Sequence, residues 1–238
     1  MRSAAEAAPS ILFLPDLAAM SGTVTLEGEE GRYLARVVRA REGERVTATD
    51  GHGRLTTLVV ERSRPDVVVT VIDSRLEPAP VTSRLLCGAP EGERGDWLVE
   101  KLAELGVTEL VPVQGTRAQW PDALRTDRWE RLAVAALRQS RSAWLMRIAP
   151  VVSLADAVAA LEPGERWLAE PSGERVDGVG LAADTPVTGA VGPSSGFSDD
   201  ERKLLSEGGF RAIRLAGSRL RTETAALALA SHWAARRA

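Results

Sequence analysis

The stretch from Val187 to Glu201 reads VTGAVGPSSGFSDDE and decides the fold class. Its first five residues are small or β-branched, which is typical of a strand buried on both faces. A Gly-Pro pair and a Gly/Ser turn follow, and Ser198 stands three residues before Glu201, the spacing of a capping box at a helix start. A buried strand, a glycine-bearing loop and a capped helix predict one unit of a parallel α/β sheet.

The same alternation of strand and helix continues on both sides of this stretch. Strands are predicted over 84–87, 108–113, 166–169, 187–191 and 212–215, and helices over 96–105, from 127 towards 144, from Ser153, from Ser198 and over 222–236. This order predicts a mainly parallel sheet with helices on both faces. Ligands of such sheets bind at the carboxyl ends of the strands.

Residues 11–76 show a different pattern, in which short strand-like segments follow one another. They lie at 11–14, 23–26, 45–49, 54–60 and 66–72, with one helical segment at 32–39. Asp50-Gly51 is typical of a hairpin turn. We predict a small β-barrel or sandwich over 11–76, a stiff proline-containing linker over 77–82, a second domain over 83–238 and a flexible tail over 1–10.

Composition excludes several classes of function. The chain has 238 residues, of which 44% are hydrophobic and 26% charged, so two globular domains are expected. No apolar stretch approaches the ~20 residues of a membrane span, and the one cysteine, Cys87, cannot form an intrachain disulfide, so a cytoplasmic location is expected. Cys87 and the two histidines, His52 and His232, do not stand at metal-ligand spacing, and no metal site is predicted.

The segment Gly192–Gly196 matches the G-x-S-x-G motif of a hydrolase nucleophile elbow. Ser194 would be its nucleophile, and His232 follows in the order that such enzymes use. However, the elbow needs its helix to start at the serine, whereas the helix cap here is Ser198. A serine hydrolase is therefore the third hypothesis.

A second glycine-bearing segment favours a different interpretation. Residues 215–225 read LAGSRLRTETA, in which a strand end and a Gly/Ser loop run into an apolar helix. Exposed main-chain groups in such loops can bind a polar small molecule. Two loops of this kind at the carboxyl ends of strands are expected to close on one ligand.

At these residues the sequence resembles the uridine N3-methyltransferases of small-subunit (16S) ribosomal RNA, a family of the SPOUT superfamily. The specific motif is Leu220–Ala225, LRTETA, following the Gly192-Pro193 loop. Supporting matches lie at 37–39, 43–46, 96–101, 104–107, 139–140, 196–198 and 201. The resemblance covers nearly the whole chain. It implies a PUA-like β-barrel that docks on RNA, a SPOUT α/β domain with a deep trefoil knot, S-adenosylmethionine as cofactor, and a homodimer.

The resemblance also implies which residues form the site. The cofactor-binding residues would be Leu168, Glu170, Gly192, Pro193, Gly196, Leu215, Gly217, Leu220, Arg221 and Thr222. In the methyl transfer, Arg221 would hold the deprotonated base or a phosphate, and Glu223 would accept a proton or orient Arg221. The alternative is purely structural, with Glu223 capping its helix and Arg221 paired with it.

Contacts with RNA are expected from arginines. Arg32, Arg36 and Arg39 stand at i, i+4 and i+7, so they would line one face of the predicted short helix and could bind phosphates. The alternative is a solvated helix face partly neutralised by Glu42 and Glu44. Arg117 is a further RNA-contact candidate from the resemblance.

The chain departs from the usual family pattern at several polar positions. Ser194 and Ser195 stand where Glu and Gly are usual, Ala216 where Gly is usual, and Arg138 where Glu is usual. These departures leave open a second hypothesis, a retargeted or catalytically weakened RNA-binding relative with the same fold.

Overall fold

The computed structural model describes residues 11–90, 94–117, 120 and 126–237. Contacts divide the chain into two compact units, Met1–Pro80 with Val134–Leu145, and Val81–Ala133 with Met146–Ala238. The sequence does not predict that 134–145 joins the first unit. The linker over 77–82 stays a prediction, and the predicted tail over 1–10 lies outside the described residues.

The first unit contains one five-stranded sheet. Its strands are β1 (Leu12–Phe13), β2 (Thr23–Leu26), β3 (Arg45–Thr49), β4 (Arg54–Arg62) and β5 (Val67–Leu76), in the order β1-β3-β4-β5-β2. The β1–β3 pair is parallel and the other pairs are antiparallel. Alternate residues such as Leu58, Val60, Val67 and Val69 are buried in its core. The prediction of a small β domain is confirmed, with β1 and β2 at the two edges of the sheet.

The helical segment of the first unit differs from the prediction. Instead of one helix over 32–39, α1 (Gly28–Arg32) runs into a π-helical turn over Tyr33–Val38, and Arg39 adopts the left-handed conformation with φ 55°. Glycines 28 and 31 weaken the helical pattern in the sequence. Gly31 is needed because a Cβ there would lie 2.3 Å from the Leu26 carbonyl oxygen. The i, i+4, i+7 spacing of an α-helix therefore does not hold between Arg32 and Arg39.

The second unit contains a parallel sheet. Its strands are β6 (Ser83–Cys87), β7 (Glu109–Gln114), β8 (Arg147–Ile148), β9 (Val152–Ser153), β10 (Glu165–Arg175), β11 (Val187–Val191) and β12 (Arg211–Arg214). The order is β12-β10-β11-β6-β7-β8, with β9 beside β7, and every pair is parallel. The predicted alternation of strand and helix is thus confirmed.

Five helices lie between or after these strands along the chain. They are α2 (Gly95–Glu104), α3 (Thr126–Ser140), α4 (Leu154–Ala159), α5 (Asp199–Glu207) and α6 (Thr222–Arg237). The capping box of Ser198 and Glu201 is present at α5, as predicted. In contrast, α3 ends at Ser140 rather than near Trp144, because Arg141 takes a positive φ of 58°.

The last helix packs directly on the central strands. Leu229 and Trp233 of α6 are buried, and a Cβ on Gly189 of β11 would lie 2.4 Å from the Leu229 side chain. Because glycine has no side chain, residue 189 leaves room for Leu229 and Trp233 to pack against the strand. The trefoil knot stays a prediction from the resemblance. Within the described ranges, no helix has the length and apolar character needed to span a membrane.

Candidate functional site

A cavity of about 300 Å³ opens beside the carboxyl ends of β11 and β12 and the middle of β10. We call residues 192–197, after β11, the first turn, and residues 215–221, after β12, the second turn. Both turns line the cavity, together with Ala169–Pro171 of β10 and Thr222 and Ala225 of α6. The expectation that the two glycine-bearing segments lie together at the carboxyl ends of strands is met.

Hydrogen bonds to main-chain oxygens hold the two turns against each other. The Thr222 hydroxyl donates to the Gly192 carbonyl at 3.0 Å, and Arg219 Nη2 donates to the Ser194 carbonyl at 3.0 Å. Within the first turn, the Gly196 amide donates to the Pro193 carbonyl at 2.8 Å, with Gly196 at φ 74°. The relative position of the turns is therefore fixed by side-chain donors of one segment on main-chain acceptors of the other.

The end of β6 supports the first turn from a neighbouring strand. A Cβ on Gly88 would lie 2.5 Å from the Pro193 nitrogen and 2.6 Å from Pro193 Cδ. Only glycine fits at this distance, because real Cβ atoms do not approach main-chain atoms so closely. The position of Pro193 thus depends on a glycine that lies outside both turns.

Glu201 fixes the exit of the first turn. Its Oε2 accepts from the Ser198 amide at 2.6 Å, and its Oε1 accepts from the Thr116 amide at 2.7 Å. Burial alone would raise the pKa of this carboxyl, but the hydrogen bonds from Ser198 and Thr116 outweigh burial and lower the pKa below its ordinary value. The same contact holds the segment of Arg117, whose Nη1 lies 3.5 Å from the Phe197 carbonyl oxygen.

Seven of the residues predicted to bind the cofactor line this cavity: Glu170, Gly192, Pro193, Gly196, Leu215, Leu220 and Thr222. Three are not among its lining residues. Leu168 is buried in the core of the second unit, Gly217 is exposed, and Arg221 lies at a smaller neighbouring cavity.

Sequence reasoning missed three arginines that line the same cavity. They are Arg202, Arg214 and Arg219. Arg202 donates to the Phe197 carbonyl at 2.7 Å and lies 4.0 Å from the carboxylate of Glu170. Arg214 could have been found, since it is the last residue of a strand whose carboxyl end was expected to bind a ligand.

A second cavity of about 170 Å³ adjoins the first. It is lined by Ser194, Arg219, Leu220, Arg221, Thr222 and Glu223, of which four also line the larger cavity. Glu223 is 1% exposed, and its Oε1 accepts from Arg94 Nη1 at 2.6 Å. Its Oε2 is buried and has no hydrogen-bond partner among the described residues.

Glu223 does not pair with Arg221, as the purely structural alternative had expected. Among the described residues, the carboxylate forms its ion pair with Arg94 rather than with Arg221, and the Arg221 side chain is exposed. Arg94 precedes α2 and lies far from Glu223 in sequence, so no local pattern pointed to it. The structure thus brings Arg221 and Glu223 to one cavity without pairing them.

Cys87 lies beside this site but is not suited to nucleophilic or metal chemistry. Burial raises the pKa of its thiol to about 12, and the negative charge of Glu223 contributes to the rise. The neutral thiol is a poor nucleophile and a poor metal ligand. Among the described parts of the chain, no cluster of three or more His, Cys, Asp or Glu side chains could hold a metal ion.

The geometry around Ser194 does not support a hydrolase. The helix after the motif begins at Asp199, capped by Ser198, so the helix does not start at the serine as an elbow requires. His232 lies on α6 with its ring centroid 5.6 Å from that of Trp167. Burial and the nearby Arg236 lower the pKa of His232, while Asp177 opposes the shift.

A concave basic surface lies in the first unit. Arg36 and Arg39 line it together with Arg41, Ser63 and Arg64, and Glu42 lies at the same surface. Arg32 is exposed but is not among its lining residues, and Arg117 belongs to the second unit. The structure therefore brings together two of the four arginines predicted to contact RNA.

Two family models match the chain. Residues 77–234 match the RNA methyltransferase domain, and residues 26–72 match the RNA methyltransferase PUA domain. Among curated relatives, the ribosomal RNA small subunit methyltransferase E of Mycobacterium tuberculosis (strain CDC 1551 / Oshkosh) is 31% identical over 232 residues, covering 91% of this chain and 88% of the relative. The protein of the same name from Aquifex aeolicus is 34% identical over 139 residues, covering 57% and 60%.

Solved structures agree with these sequence matches. The ribosomal RNA small subunit methyltransferase E of Neisseria gonorrhoeae, bound to S-adenosyl methionine, superposes with a TM-score of 0.83 at 25% identity, covering 93% of this chain and 95% of that one. A Legionella pneumophila protein in complex with the cofactor SAM superposes with a TM-score of 0.80 at 26% identity, covering 91% and 93%. The similarity thus extends over both units.

Proposed function

Because the chain belongs to the RNA methyltransferase family, with both its methyltransferase and its PUA domain, we propose that it methylates small-subunit (16S) ribosomal RNA with S-adenosylmethionine. Its acceptor would be N3 of a specific uridine, as the resemblance implies. Curated relatives carry the name of this ribosomal activity, and a similar structure is bound to the cofactor. The observation that carries the proposal is the cavity between the two turns, which follow the carboxyl ends of β11 and β12.

The residues around the larger cavity fit this cofactor. A volume of about 300 Å³ is within the range of small-molecule sites, and the lining includes Gly192, Pro193 and Gly196 of the first turn. Glu170 supplies an acceptor for a hydroxyl or ammonium group, and Gly192, Pro193, Gly196, Leu215, Leu220 and Thr222 would hold the remainder. Leu168 would support the site from the core, with Gly217 in the second turn. When bound, S-adenosylmethionine supplies an electrophilic methyl group on a sulfonium.

Residues at the smaller cavity would act on the acceptor base. The uracil N3 must lose its proton to attack the methyl group, and Glu223 would accept it through its free oxygen. A positioned base contributes typically 10²- to 10⁴-fold to the rate. Arg221 would stabilise the negative charge of the deprotonated base or hold a phosphate. Alignment of the two reactants can lower the barrier by up to about 7–11 kcal/mol.

RNA would be held by arginines of both units. Arg36 and Arg39, on the concave basic surface, would bind phosphates, and Arg32 and Arg117 would add exposed positive charge. Net charge is only −3, so binding would depend on such local clusters rather than on the whole protein. The affinity for RNA is then expected to fall steeply with salt.

The proposed function also implies an oligomeric state and a cellular location. The chain would act as a homodimer, and Trp97 of α2, a large side chain that is 47% exposed, is a candidate for burial between subunits. The cytoplasm is the proposed location, since bacterial ribosomal RNA, the proposed substrate, is found there.

One feature supports the second hypothesis, an RNA-binding relative with weak or altered catalysis. Ser194 lines both cavities at the position where the family usually has Glu, and a serine hydroxyl cannot replace a carboxylate charge. This hypothesis expects salt-sensitive RNA binding with little methyl transfer. It also expects that Ser194→Glu with Ser195→Gly would raise the transfer rate.

Two measurements test the proposal. Isothermal titration of the protein with S-adenosylmethionine should give saturable binding, and the protein should transfer one labelled methyl group to small subunits from a strain lacking its own N3-methyluridine modification. Nucleoside mass spectrometry should then identify N3-methyluridine. Absence of binding at millimolar cofactor would contradict the cofactor assignment, and another methylated nucleoside would contradict the uridine assignment.

A further inference from the structure

We propose that the smaller cavity receives the acceptor base and that Arg94 is the positioning residue that directs the free oxygen of Glu223 towards it. This inference rests on the proposed function and deepens it. The occupant would be a pyrimidine whose ring nitrogen carries a hydrogen. The inference depends on Glu223, whose buried carboxylate belongs to a residue that lines the smaller cavity. One oxygen of this carboxylate is bound by Arg94, and the other has no hydrogen-bond partner among the described residues.

The two oxygens of Glu223 have different environments. Oε1 is bound by Arg94, whereas Oε2 is buried without a hydrogen-bond partner in the described chain. Buried polar atoms are nearly always hydrogen-bonded, so this oxygen, on a residue that lines a cavity, points to a donor that the described residues do not supply. An ionised carboxylate only accepts hydrogen bonds. Uracil offers an N3–H donor, whereas cytosine has a lone pair at the same position.

Arg94 is placed to orient this carboxylate without touching a ligand. It is not among the lining residues of either cavity, and its side chain is 50% exposed while that of Glu223 is 1% exposed. A guanidinium bound to one oxygen restricts the rotation of the carboxylate. Arg94 therefore acts through Glu223.

Other charged and titratable groups also face Glu223. Arg219 and Arg221 line the same cavity from the second turn, and the neutral thiol of Cys87 lies on β6. Both arginines can contact a bound nucleotide, whereas Arg94 is already committed to Oε1. Removal of Arg94 should therefore affect Glu223 selectively.

The cavities share walls that would bring the reactants together. Ser194, Arg219, Leu220 and Thr222 line both, so a methyl donor in the larger cavity and a base in the smaller one would be neighbours. The N3 proton would pass to Glu223 Oε2 as the N3 lone pair forms the new N–C bond. The S–C bond breaks, and its electron pair stays on sulfur as a neutral thioether.

The test is a single-turnover measurement of methyl transfer with the full chain and small subunits. Arg94→Ala should bind S-adenosylmethionine within about twofold of wild type, because Arg94 does not line the larger cavity. Its transfer rate should fall about 10- to 100-fold, because the Glu223 carboxylate loses the contact that orients it. Arg94→Lys should restore part of the rate, since it returns a cation to Oε1, and Glu223→Gln should lose about 10²- to 10⁴-fold.

Arg128→Ala is the matched control. Arg128 is 52% exposed and pairs with Asp96 at 2.5 Å in the same unit, so this variant loses another arginine–carboxylate pair, whose residues line neither cavity. Its transfer rate should equal that of wild type. An unchanged rate in Arg94→Ala, an equal fall in Arg128→Ala or no rescue by Arg94→Lys would overturn the inference while the proposed function stands. A wild-type chain without transfer would overturn both.

Discussion

The cavity between the two turns and the concave basic surface of the first unit are both lined by arginines, but different parts of the chain determine their shapes. Main-chain contacts set the cavity, through Gly88, Pro193 and the carbonyls of Gly192 and Ser194. At the basic surface, Arg36 and Arg39 contribute through exposed side chains. Substitutions should therefore change geometry at the cavity and only charge at the basic surface.

The largest effect is expected where a side chain would force main-chain atoms apart. Gly88→Ala should weaken S-adenosylmethionine binding about 10- to 100-fold, because its Cβ cannot lie 2.5 Å from the Pro193 nitrogen without displacing the first turn. Overpacking of this kind typically costs about 1–3 kcal/mol. Calorimetric titration measures the loss. Gly180→Ala is the control, since no heavy atom of the described residues lies within 4 Å of the place its Cβ would take. Equal affinity in the two variants would contradict the role of Gly88.

The next effect, on stability rather than on cofactor binding, is expected at the exit of the first turn. Glu201→Ala leaves the Ser198 and Thr116 amides without their acceptor, which should lower the free energy of unfolding by about 1–3 kcal/mol. The pKa of Glu201 is lowered, so its contribution is complete above its ordinary value of 4.5 and is lost as the pH falls below it.

Denaturant unfolding at pH 7 and pH 3 measures this contribution. The difference between wild type and Glu201→Ala should shrink at the lower pH. Glu207→Ala, on the exposed end of the same helix, should cost little at either pH. A constant difference for Glu201→Ala would show that its charge is not responsible.

Substitutions at the basic surface should lower only the affinity for RNA. Arg36→Ala with Arg39→Ala should reduce the slope of log affinity against log salt by about two, roughly one per phosphate contact. S-adenosylmethionine affinity should not change. Arg175→Ala, which removes an exposed arginine paired with Asp177, is the control for net charge. A reduced cofactor affinity in the double variant would contradict the separation of the two sites.

The smallest effect concerns a residue that lies on α6 but lines neither cavity. The pKa of His232 is lowered mainly by burial, so the unfolded chain binds a proton more readily below pH 6.5. Wild type should then lose roughly a few tenths of a kcal/mol between pH 7 and 5.5, a modest value because the ring is partly exposed. His232→Gln should lose less over that interval in thermal melts, with cofactor binding unchanged. Equal pH dependence would contradict the assignment to His232.

The sequence predicted Val187–Val191 with the observed bounds because this strand is short, apolar and flanked by Pro186 and Gly192. It predicted a neighbouring strand only over 166–169, whereas β10 runs over Glu165–Arg175, where the sequence becomes polar. The capping box at Ser198 could also be predicted, because it depends on two residues that lie three positions apart. Such signals need no knowledge of distant residues, which explains their success.

The failures involve contacts between distant parts of the chain. The helix predicted over 32–39 begins earlier, at Gly28, and includes Gly31, where the Leu26 carbonyl leaves no room for a side chain. Arg94 could not be connected to Glu223 from sequence because 129 positions separate them. Arg138, a departure from the family pattern, pairs with Glu30 and lies over the ring of Tyr33, so its role is structural in the first unit.

The central claim is that both turns bind the methyl donor together, and amide hydrogen exchange with and without S-adenosylmethionine tests it most directly. We predict slower exchange on cofactor addition in both 192–197 and 215–221, with 36–41 unchanged. Protection of only one turn, or of neither turn at saturating cofactor, would contradict the claim.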